Sequence, residues 1–396
     1  MNQSHRPLAI ANAQLIRNGE IQLGKVVLVE NGIIQAVCNL DDFSAEQYQL
    51  IDCANAYLTP GLVDLHIHGC MTYTFNEPTK EAFETILKKT LSVGVTTLAP
   101  TLVAAPTPEL ETTLDFIASW RNWQTPGMTS ITGAYLESPF IAPAAKGALP
   151  ENAIRDLKGN DLDILLNHHE ALAIFMVAPE LEGAADAFRK ITAYGIIGAM
   201  GHTTAIENQV LEAIQAGASH VTHLWSAMSS VVRIGPWRKP GLLEVALTHP
   251  EITAEIIADN RHLPPTLMKL AVKAKGDSRT LCAVSDALNG AGLPEGSCFY
   301  VGGNRCQVVD GVGMVEDRTV FAGSTTLLNR EIPILIHEVG LTIPEAIAMV
   351  TEIPARILKL SHNKGKIETR YDADLVLFDS DFNPIKVIQN GIVVVE

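Results

Sequence analysis

The sequence predicts an α/β protein: a (β/α)8 barrel of the TIM type with a small β-sandwich domain built from both chain ends. Eight short apolar runs, each as long as a buried strand, recur between positions 61 and 287. Amphipathic helical stretches, such as 79–94 and 205–217, lie between these runs. Apolar strands that alternate with helices are typical of a parallel sheet covered on both faces. Eight such units over roughly 250–300 residues match the barrel.

The first element is the small β domain, which begins at residue 8. The turn sequences RNGE (17–20) and ENGI (30–33) separate its apolar runs, and Asn-Gly is a strong hairpin signal. The last segment, 372–396, has the same character, and its QNGIVV echoes the earlier ENGII. Chain termini often lie close together, so we expect residues 1–59 and 361–396 to form one domain around a barrel at 60–360.

The barrel runs follow in order. They are GLVDLHIH (61–68), GVTTLAPT (94–101), ITGAYLE (131–137), LAIFMVAPE (172–180), GIIGAMGH (195–202), ASHVTHL (218–224), ITAEIIAD (252–259) and TLCAVSDA (280–287). A single closing helix is expected over 342–360, where Thr342 and Glu345 flank Pro344 in a capping-box pattern.

Composition and charge limit the kinds of partner that this protein is expected to bind. The formal net charge is −15, which disfavours non-specific binding to nucleic acid or to an anionic membrane surface. No apolar run approaches the length of a bilayer span, and the first fifteen residues lack the pattern of a signal peptide. The six cysteines include no C-x-x-C pair. We therefore expect a cytoplasmic protein that binds neither nucleic acid nor a membrane.

Acidic and imidazole side chains end most of the predicted barrel strands. Catalytic groups of such barrels lie at the C-terminal ends of the strands, so these side chains are expected to share one mouth. They are His66, His68, Glu137, His202, His223, Asp259 and Asp286.

This set of side chains predicts a metal site. In the sequence His-x-His, both imidazoles point to the same face of a strand, although two polar residues with local hydrogen bonds would give the same pattern. Imidazole and carboxylate bind zinc, which we favour, and also iron, manganese or cobalt. Glu137 is either a ligand able to bridge two metals or a charge at a helix N-terminus or on the surface. Asp286 is a candidate ligand, general base or both.

Seven motifs give the chain a family resemblance. They are PGLVDLHIHG, YLESPFIAPAAKGALP, GHTTA, THLWSAM, KPGL, IADNRH and VSDALNGAG. In order and spacing they resemble the amidohydrolase superfamily. Within it, they resemble the N-acetylglucosamine-6-phosphate deacetylases and their N-acetylgalactosamine-6-phosphate relatives. The likeness extends over nearly the whole chain.

The resemblance implies roles by position. Glu137, His202 and His223 match the core metal ligands, and the pair His66 and His68 matches a feature of members with a second metal. Asp286 matches the catalytic acid/base. Arg238 matches an arginine offered to the sugar phosphate of the neighbouring subunit, which implies a homodimer; Arg233 is the other candidate. The expected substrate-binding residues are His262, Ser226, Ala227, Arg238, Ala148 and Leu149.

Four positions depart from the family pattern, in which Ser138 is usually Gly, Leu149 is His, Ser226 is Asn and Asn260 is Gly. The metal and acid/base residues are intact, while the expected substrate wall has changed. The resemblance implies hydrolysis of an N-acetylhexosamine 6-phosphate to acetate and the amino sugar phosphate. An unphosphorylated acetamido sugar or another N-acyl amine is the alternative. A catalytically silent sugar-binding protein is a third hypothesis, disfavoured because Asp286 and every ligand are retained.

Overall fold

Eight parallel strands form the central barrel of the computed structural model, which describes residues 7–123, 126–276, 279–301, 304–316, 318 and 321–396. The third strand has two short pieces. The strands are Leu62–Ile67, Val95–Leu102, Ser130–Ile131 with Ala134–Leu136, Leu172–Met176, Ile197–Met200, Ala218–Val221, Thr253–Ile257 and Leu281–Val284. Each pairs with the next along the chain. Backbone bonds from Asp286 to His66 and from His68 to Ala287, both 2.9 Å, join the eighth strand to the first. The predicted barrel is confirmed.

Helices cover the outside of the barrel. The α-helices are Lys80–Ser92, Thr107–Arg121, Asp161–Leu166, Ala184–Ala193, Glu207–Gln215, Leu242–Thr248, Pro265–Lys275, Glu331–Ile334, Ile343–Met349 and Glu352–Ile357. In Lys80–Ser92, buried Phe83, Ile86 and Leu87 form the stripe that a helical period predicts. Among the described helices, none combines the length and apolarity needed to cross a bilayer.

The prediction of one helix over 342–360 is wrong, because the structure breaks it into Ile343–Met349 and Glu352–Ile357. Pro354 is the physical reason. It has no N–H to donate, and in a continuous helix its ring would clash with the carbonyl of Val350. The chain bends at Thr351, whose φ and ψ are −136° and −80°. The predicted capping box is present, since the Thr342 backbone N–H donates to Glu345 Oε2 at 2.8 Å.

Both chain ends build the small β domain, as predicted. One sheet contains Ile33–Asn39, Lys25–Glu30, Leu8–Ala11 and Gln49–Asp52. The other contains Ile392–Val395, Pro384–Gln389, Leu375–Phe378, Tyr57–Pro60, Gln14–Arg17 and Glu20–Gln22. The central strands of this second sheet, Tyr57–Pro60 and Leu375–Phe378, come from opposite ends of the chain. Residues of both sheets share one apolar core. The bounds 1–59, 60–360 and 361–396 stay predictions.

Asn-Gly turns set the hairpins of this domain. Asn31 and Gly32 have φ of 52° and 79°, and Asn390 and Gly391 have 48° and 74°. Two consecutive positive φ values define the type I′ turn, which asparagine and glycine tolerate best. The repeated NG signal in the sequence therefore marked real turns.

Besides a pair of two-residue strands, Gly69–Cys70 with Tyr73–Thr74, two β elements were not predicted. An antiparallel sheet of Cys298–Val301, Asn304–Val309, Val312–Val315 and Phe321–Ser324 follows the last barrel strand. The backbone N–H of Ser324 donates to Asp286 O at 3.2 Å, which fixes this sheet beside the barrel mouth. The other element is an exposed hairpin, Val232–Ile234 with Trp237–Lys239.

Candidate active site

The predicted strand-end residues converge at the C-terminal mouth of the barrel. His66 lies near the end of the first strand, and Glu137 comes directly after the third. His202, His223 and Asp286 each stand two residues beyond their strand. The structure brings six of these side chains into two groups, Glu137–His202–His223 and His66–His68–Asp286, whose ligand atoms lie within 4.8 Å of one another in each group.

The first group is centred on one oxygen of Glu137. Glu137 Oε1 lies 2.8 Å from His202 Nε2 and 3.0 Å from His223 Nε2. The three side chains are almost fully buried. Two imidazole nitrogens and a carboxylate oxygen thus point at one small volume.

The second group is centred on Asp286. Its Oδ1 lies 3.2 Å from His68 Nε2 and 3.4 Å from His66 Nε2. The Asp286 side chain is 13% exposed, against 4% for Glu137, so it is the more accessible of the two carboxylates. The groups adjoin, because Glu137 Oε2 lies 3.5 Å from His68 Nε2. The two oxygens of Glu137 therefore face different groups, which suits a bridging ligand.

The donor set fits divalent metal ions. Glu255 accepts a hydrogen bond from His66 Nδ1 at 2.9 Å, and the carbonyl of Ala145 accepts one from His202 Nδ1 at 2.9 Å. When the rings are neutral, donation through Nδ1 leaves Nε2 of each with its lone pair directed into the site, which is how metal-binding histidines are held. Among the described residues, the buried Nδ1 atoms of His68 and His223 have no hydrogen-bond partner.

The electrostatics of the site keep its carboxylates ionised. Burial alone would raise the pKa of Glu137, but His202, His223 and His68 hold it well below its usual range. Burial also opposes ionisation of Asp286, yet His66, His68 and His223 lower its pKa. For His66, burial favours the neutral ring, and Glu255 and Asp286 outweigh it and raise the pKa to about 10. The site thus attracts positive charge.

The backbone is strained where the candidate metal ligands leave the barrel. His202 and Asp286 have φ of 46° and 44°, and Ala227 has 46°. Non-glycine residues adopt this left-handed region at a cost, and such strain clusters at functional sites. Glu180, after the fourth strand, accepts hydrogen bonds from the backbone N–H of Thr204 at 2.5 Å and from its hydroxyl at 2.8 Å. This contact ties down the loop that carries His202.

Three of the expected substrate-binding residues lie in the loops that follow the sixth and seventh strands. His262 donates from Nδ1 to Asp259 Oδ2 at 2.7 Å, and its ring packs on Phe321 of the unpredicted sheet. Ser226 and Ala227 lie in the loop after the sixth strand, and the Ala227 carbonyl accepts from Thr203 N–H at 3.1 Å. Their contact with substrate stays a prediction.

The loop after the third strand holds Ala148 and Leu149. A Cβ added to Gly147 would lie 3.5 Å from the His202 ring, so this loop covers the first group. Ala148 is exposed, whereas Leu149 is 6% exposed and packs into the main apolar core. If this loop contacts the sugar, Ala148 presents the more accessible side chain.

Arg233 and Arg238 are not in either group. They lie directly opposite each other on the exposed hairpin Val232–Ile234 with Trp237–Lys239. Both are exposed, as is Trp237 at 71%. The structure therefore gives no preference between the two predicted arginines.

Several buried polar residues of the site were not predicted from the sequence. Glu255 and His220 lie within barrel strands, and Asp64 accepts from the Ser285 hydroxyl at 2.6 Å. Tyr135 packs its ring on His66 with the ring centres 4.6 Å apart. Each is a polar or charged residue inside an apolar run. That pattern marks such residues in the sequence, because a buried charge needs a partner.

Comparison with known proteins agrees with this geometry. The model of the amidohydrolase family matches residues 57–394. An N-acetylglucosamine-6-phosphate deacetylase from Vibrio furnissii is 31% identical over 96% of this chain and 93% of its own. An N-acetylgalactosamine-6-phosphate deacetylase from Escherichia coli O157:H7 is 30% identical over 82% and 84%. The crystal structure of N-acetylglucosamine-6-phosphate deacetylase from Pasteurella multocida superposes with a TM-score of 0.91 at 26% identity, covering 98% of this chain and 100% of that one.

Proposed function

The chain belongs to the amidohydrolase family and, within it, to the N-acetylglucosamine-6-phosphate deacetylase family, and on that premise we propose the reaction and the role of each residue. The enzyme removes the acetyl group from an N-acetylhexosamine 6-phosphate and yields acetate and the amino sugar phosphate. The observation that carries this proposal is the meeting of the groups Glu137–His202–His223 and His66–His68–Asp286 at one barrel mouth.

Glu137, His202 and His223 would hold one divalent ion, and His66, His68 and Asp286 a second. When bound, a divalent metal polarises the substrate carbonyl and lowers the pKa of a water toward about 7. Zinc is our first candidate, because imidazole and carboxylate ligands suit it; iron, manganese and cobalt accept the same donors.

Asp286 moves the proton in this mechanism. Its carboxylate is ionised and is the more exposed of the two in the site, so it can accept a proton from the attacking water. The water oxygen then adds to the acetyl carbon. When the C–N bond breaks, Asp286 returns the proton to the departing nitrogen. His202, His223 and His66 keep their orientation throughout, and the strained backbone at Asp286 fixes where its carboxylate points.

We also propose a homodimer in which the hairpin arginine of one subunit contacts the sugar phosphate bound by the other. The exposed pair Arg233 and Arg238, with Trp237 beside them, supports it because guanidinium groups bind phosphate through two hydrogen bonds. Cys38, Cys53, Cys70, Cys282 and Cys298 carry free thiols, which supports a reducing compartment such as the cytoplasm.

The test is turnover of a matched substrate panel by metal-reconstituted protein, with released acetate as the readout. The panel pairs the 6-phosphates of N-acetylglucosamine and N-acetylgalactosamine with their free sugars. We expect turnover of a 6-phosphate. The kcat/KM for the 6-phosphate divided by the kcat/KM for the matching free sugar measures the phosphate preference. Glu137→Gln and chelator-treated protein are the controls and should release no acetate. Acetate from the free sugars alone would favour the unphosphorylated alternative, and no acetate from any 6-phosphate would refute the proposal.

A further inference from the structure

Glu255 places a carboxylate in the middle of the seventh barrel strand, Thr253–Ile257, where it is 0% exposed. It lies between alanine and isoleucine in an otherwise apolar strand. Taking a carboxylate out of water costs several kcal/mol unless well-placed partners compensate for it. A residue that serves only packing would not carry this charge, so the partners of Glu255 indicate what it does.

Those partners belong to both groups of the site. Glu255 Oε2 accepts from His66 Nδ1 at 2.9 Å and from the backbone N–H of His223 at 3.1 Å. His66 is in the group with Asp286, and His223 is in the group with Glu137. One oxygen atom therefore contacts a candidate ligand on each side of the centre.

We propose that Glu255 is a positioning residue that orients both halves of the metal centre at once. As an acceptor from His66 Nδ1–H, it fixes the tautomer whose Nε2 lone pair points at the metal. As an acceptor from the His223 backbone, it fixes the strand end from which that imidazole projects. The proposal rests on the metal-dependent function above and adds to it a residue that contacts neither substrate nor metal. Carboxylates that hold ligand histidines in this way tune metal affinity.

A second histidine holds Glu255 itself. His220 Nε2 lies 2.7 Å from Glu255 Oε1, and His220 Nδ1 lies 2.7 Å from Thr253 Oγ1. The Thr253 hydroxyl donates to the backbone carbonyl of Ser219 at 2.9 Å. This chain of contacts anchors the carboxylate to the sixth strand. On the far side, Tyr135 packs against the His66 ring, so both the carboxylate and the imidazole it holds have little freedom to rotate.

The experiment compares Glu255→Gln with Glu331→Gln. Glu331 is an equally buried glutamate that makes no hydrogen bond or ion pair with a residue of either group, so it controls for changing a buried acid. Each protein is stripped of metal and titrated with Co²⁺ against a competing chelator, and its visible absorption spectrum is recorded. Far-UV circular dichroism of the metal-free proteins checks folding. His220→Gln, which leaves the His66 contact in place, completes the series.

We expect Glu255→Gln to weaken Co²⁺ binding by about 10–100-fold and to change the cobalt spectrum. His220→Gln should have a smaller effect, and Glu331→Gln should match the parent. Parent-like affinity and spectrum in a folded Glu255→Gln protein would overturn the inference. If Glu255→Gln does not fold, parent-like cobalt binding by His220→Gln would overturn it instead. The titration needs no turnover. A parent protein that binds cobalt but releases no acetate would therefore refute the proposed function, while the cobalt titration would still decide the role of Glu255.

Discussion

His66 and His68 face each other through their Nε2 atoms, which lie 3.2 Å apart. Both atoms are within 3.4 Å of the same oxygen, Asp286 Oδ1. Two imidazole nitrogens this close repel each other if both carry lone pairs, so a proton or a cation must lie between them. With Glu255 accepting from His66 Nδ1, a metal held by this pair would use both lone pairs, as the proposed function requires.

The first prediction is that this pair holds one of two ions. Protein loaded with excess divalent metal and then desalted should contain about two ions per chain by elemental analysis. The double variant His66→Asn with His68→Asn should retain about one, because Glu137, His202 and His223 remain. The matched control is His168→Asn with His169→Asn, an adjacent pair outside both groups, which should keep two. A parent that never exceeds one ion would contradict the two-metal arrangement.

The second prediction concerns Asp286. A positioned general acid/base contributes roughly 10²–10⁴-fold in rate, or about 3–5 kcal/mol of barrier. Asp286→Asn should therefore lower kcat by at least about 100-fold on the best 6-phosphate, while the group around Glu137 still binds metal. Elemental analysis of the same sample separates lost chemistry from lost metal. Asp41→Asn, on the exposed surface of the β domain, is the control. Turnover close to the parent rate would remove Asp286 from the mechanism.

The strand ends could be predicted because two simple features of the sequence locate them. Apolar runs of strand length fixed the eight strands, and the polar residue that ends a run, such as Glu137 after Leu136, marked the mouth. The Asn-Gly turns were equally readable, since few other residue pairs adopt two positive φ values.

The support of the site was harder to predict, because it depends on residues far apart in sequence. Glu255 is 189 positions from His66, and its value as a partner appears only when the barrel closes. The sheet at Cys298–Ser324 was missed because its short strands follow a glycine-rich stretch that resembles a loop. The break before Glu352 needed only the proline rule, which the prediction of one long helix neglected.

The third prediction concerns stability. Lys275 is 4% exposed, and its ammonium donates to three backbone carbonyls, those of Ala246, His249 and Ile252, at 3.0, 2.9 and 2.6 Å. These carbonyls lie at the end of helix Leu242–Thr248 and in the turn that leads to the seventh strand. Lys275→Met keeps the aliphatic stem but leaves buried acceptors unpaired, so we expect unfolding free energy to fall by at least about 2 kcal/mol.

Urea unfolding followed by circular dichroism measures this loss. Lys269→Met is the matched control, because Lys269 is on the same helix, Pro265–Lys275, but faces solvent. Its unfolding free energy should stay within about 0.5 kcal/mol of the parent. Equal stability of the two variants would show that the three hydrogen bonds of Lys275 do not hold this corner of the barrel together.

The last prediction separates the two hairpin arginines and tests whether one acts across subunits. A charge-assisted contact to phosphate is worth about 1.5–3 kcal/mol, or roughly 10–150-fold in affinity. Arg238→Ala should therefore raise KM for the 6-phosphate by that order and leave kcat/KM for the free N-acetylhexosamine unchanged. If Arg233→Ala shows this pattern instead, Arg233 is the phosphate contact. Arg189→Ala, on an exposed helix face, is the control and should change neither substrate.

Mixed dimers then test whether the arginine acts in its own subunit or in the neighbouring one. An Asp286→Asn chain keeps its arginine, and an Arg238→Ala chain keeps its acid/base. If the arginine reaches the neighbouring site, dissociating and reassociating the two variants together creates one complete site, so activity should exceed that of either variant alone. If Arg233 is the phosphate contact, the Arg233→Ala chain replaces the Arg238→Ala chain in this experiment. Should affinity capture of differently tagged chains show mixed dimers while activity fails to recover, the arginine serves its own subunit or neither, and the shared-site proposal is wrong.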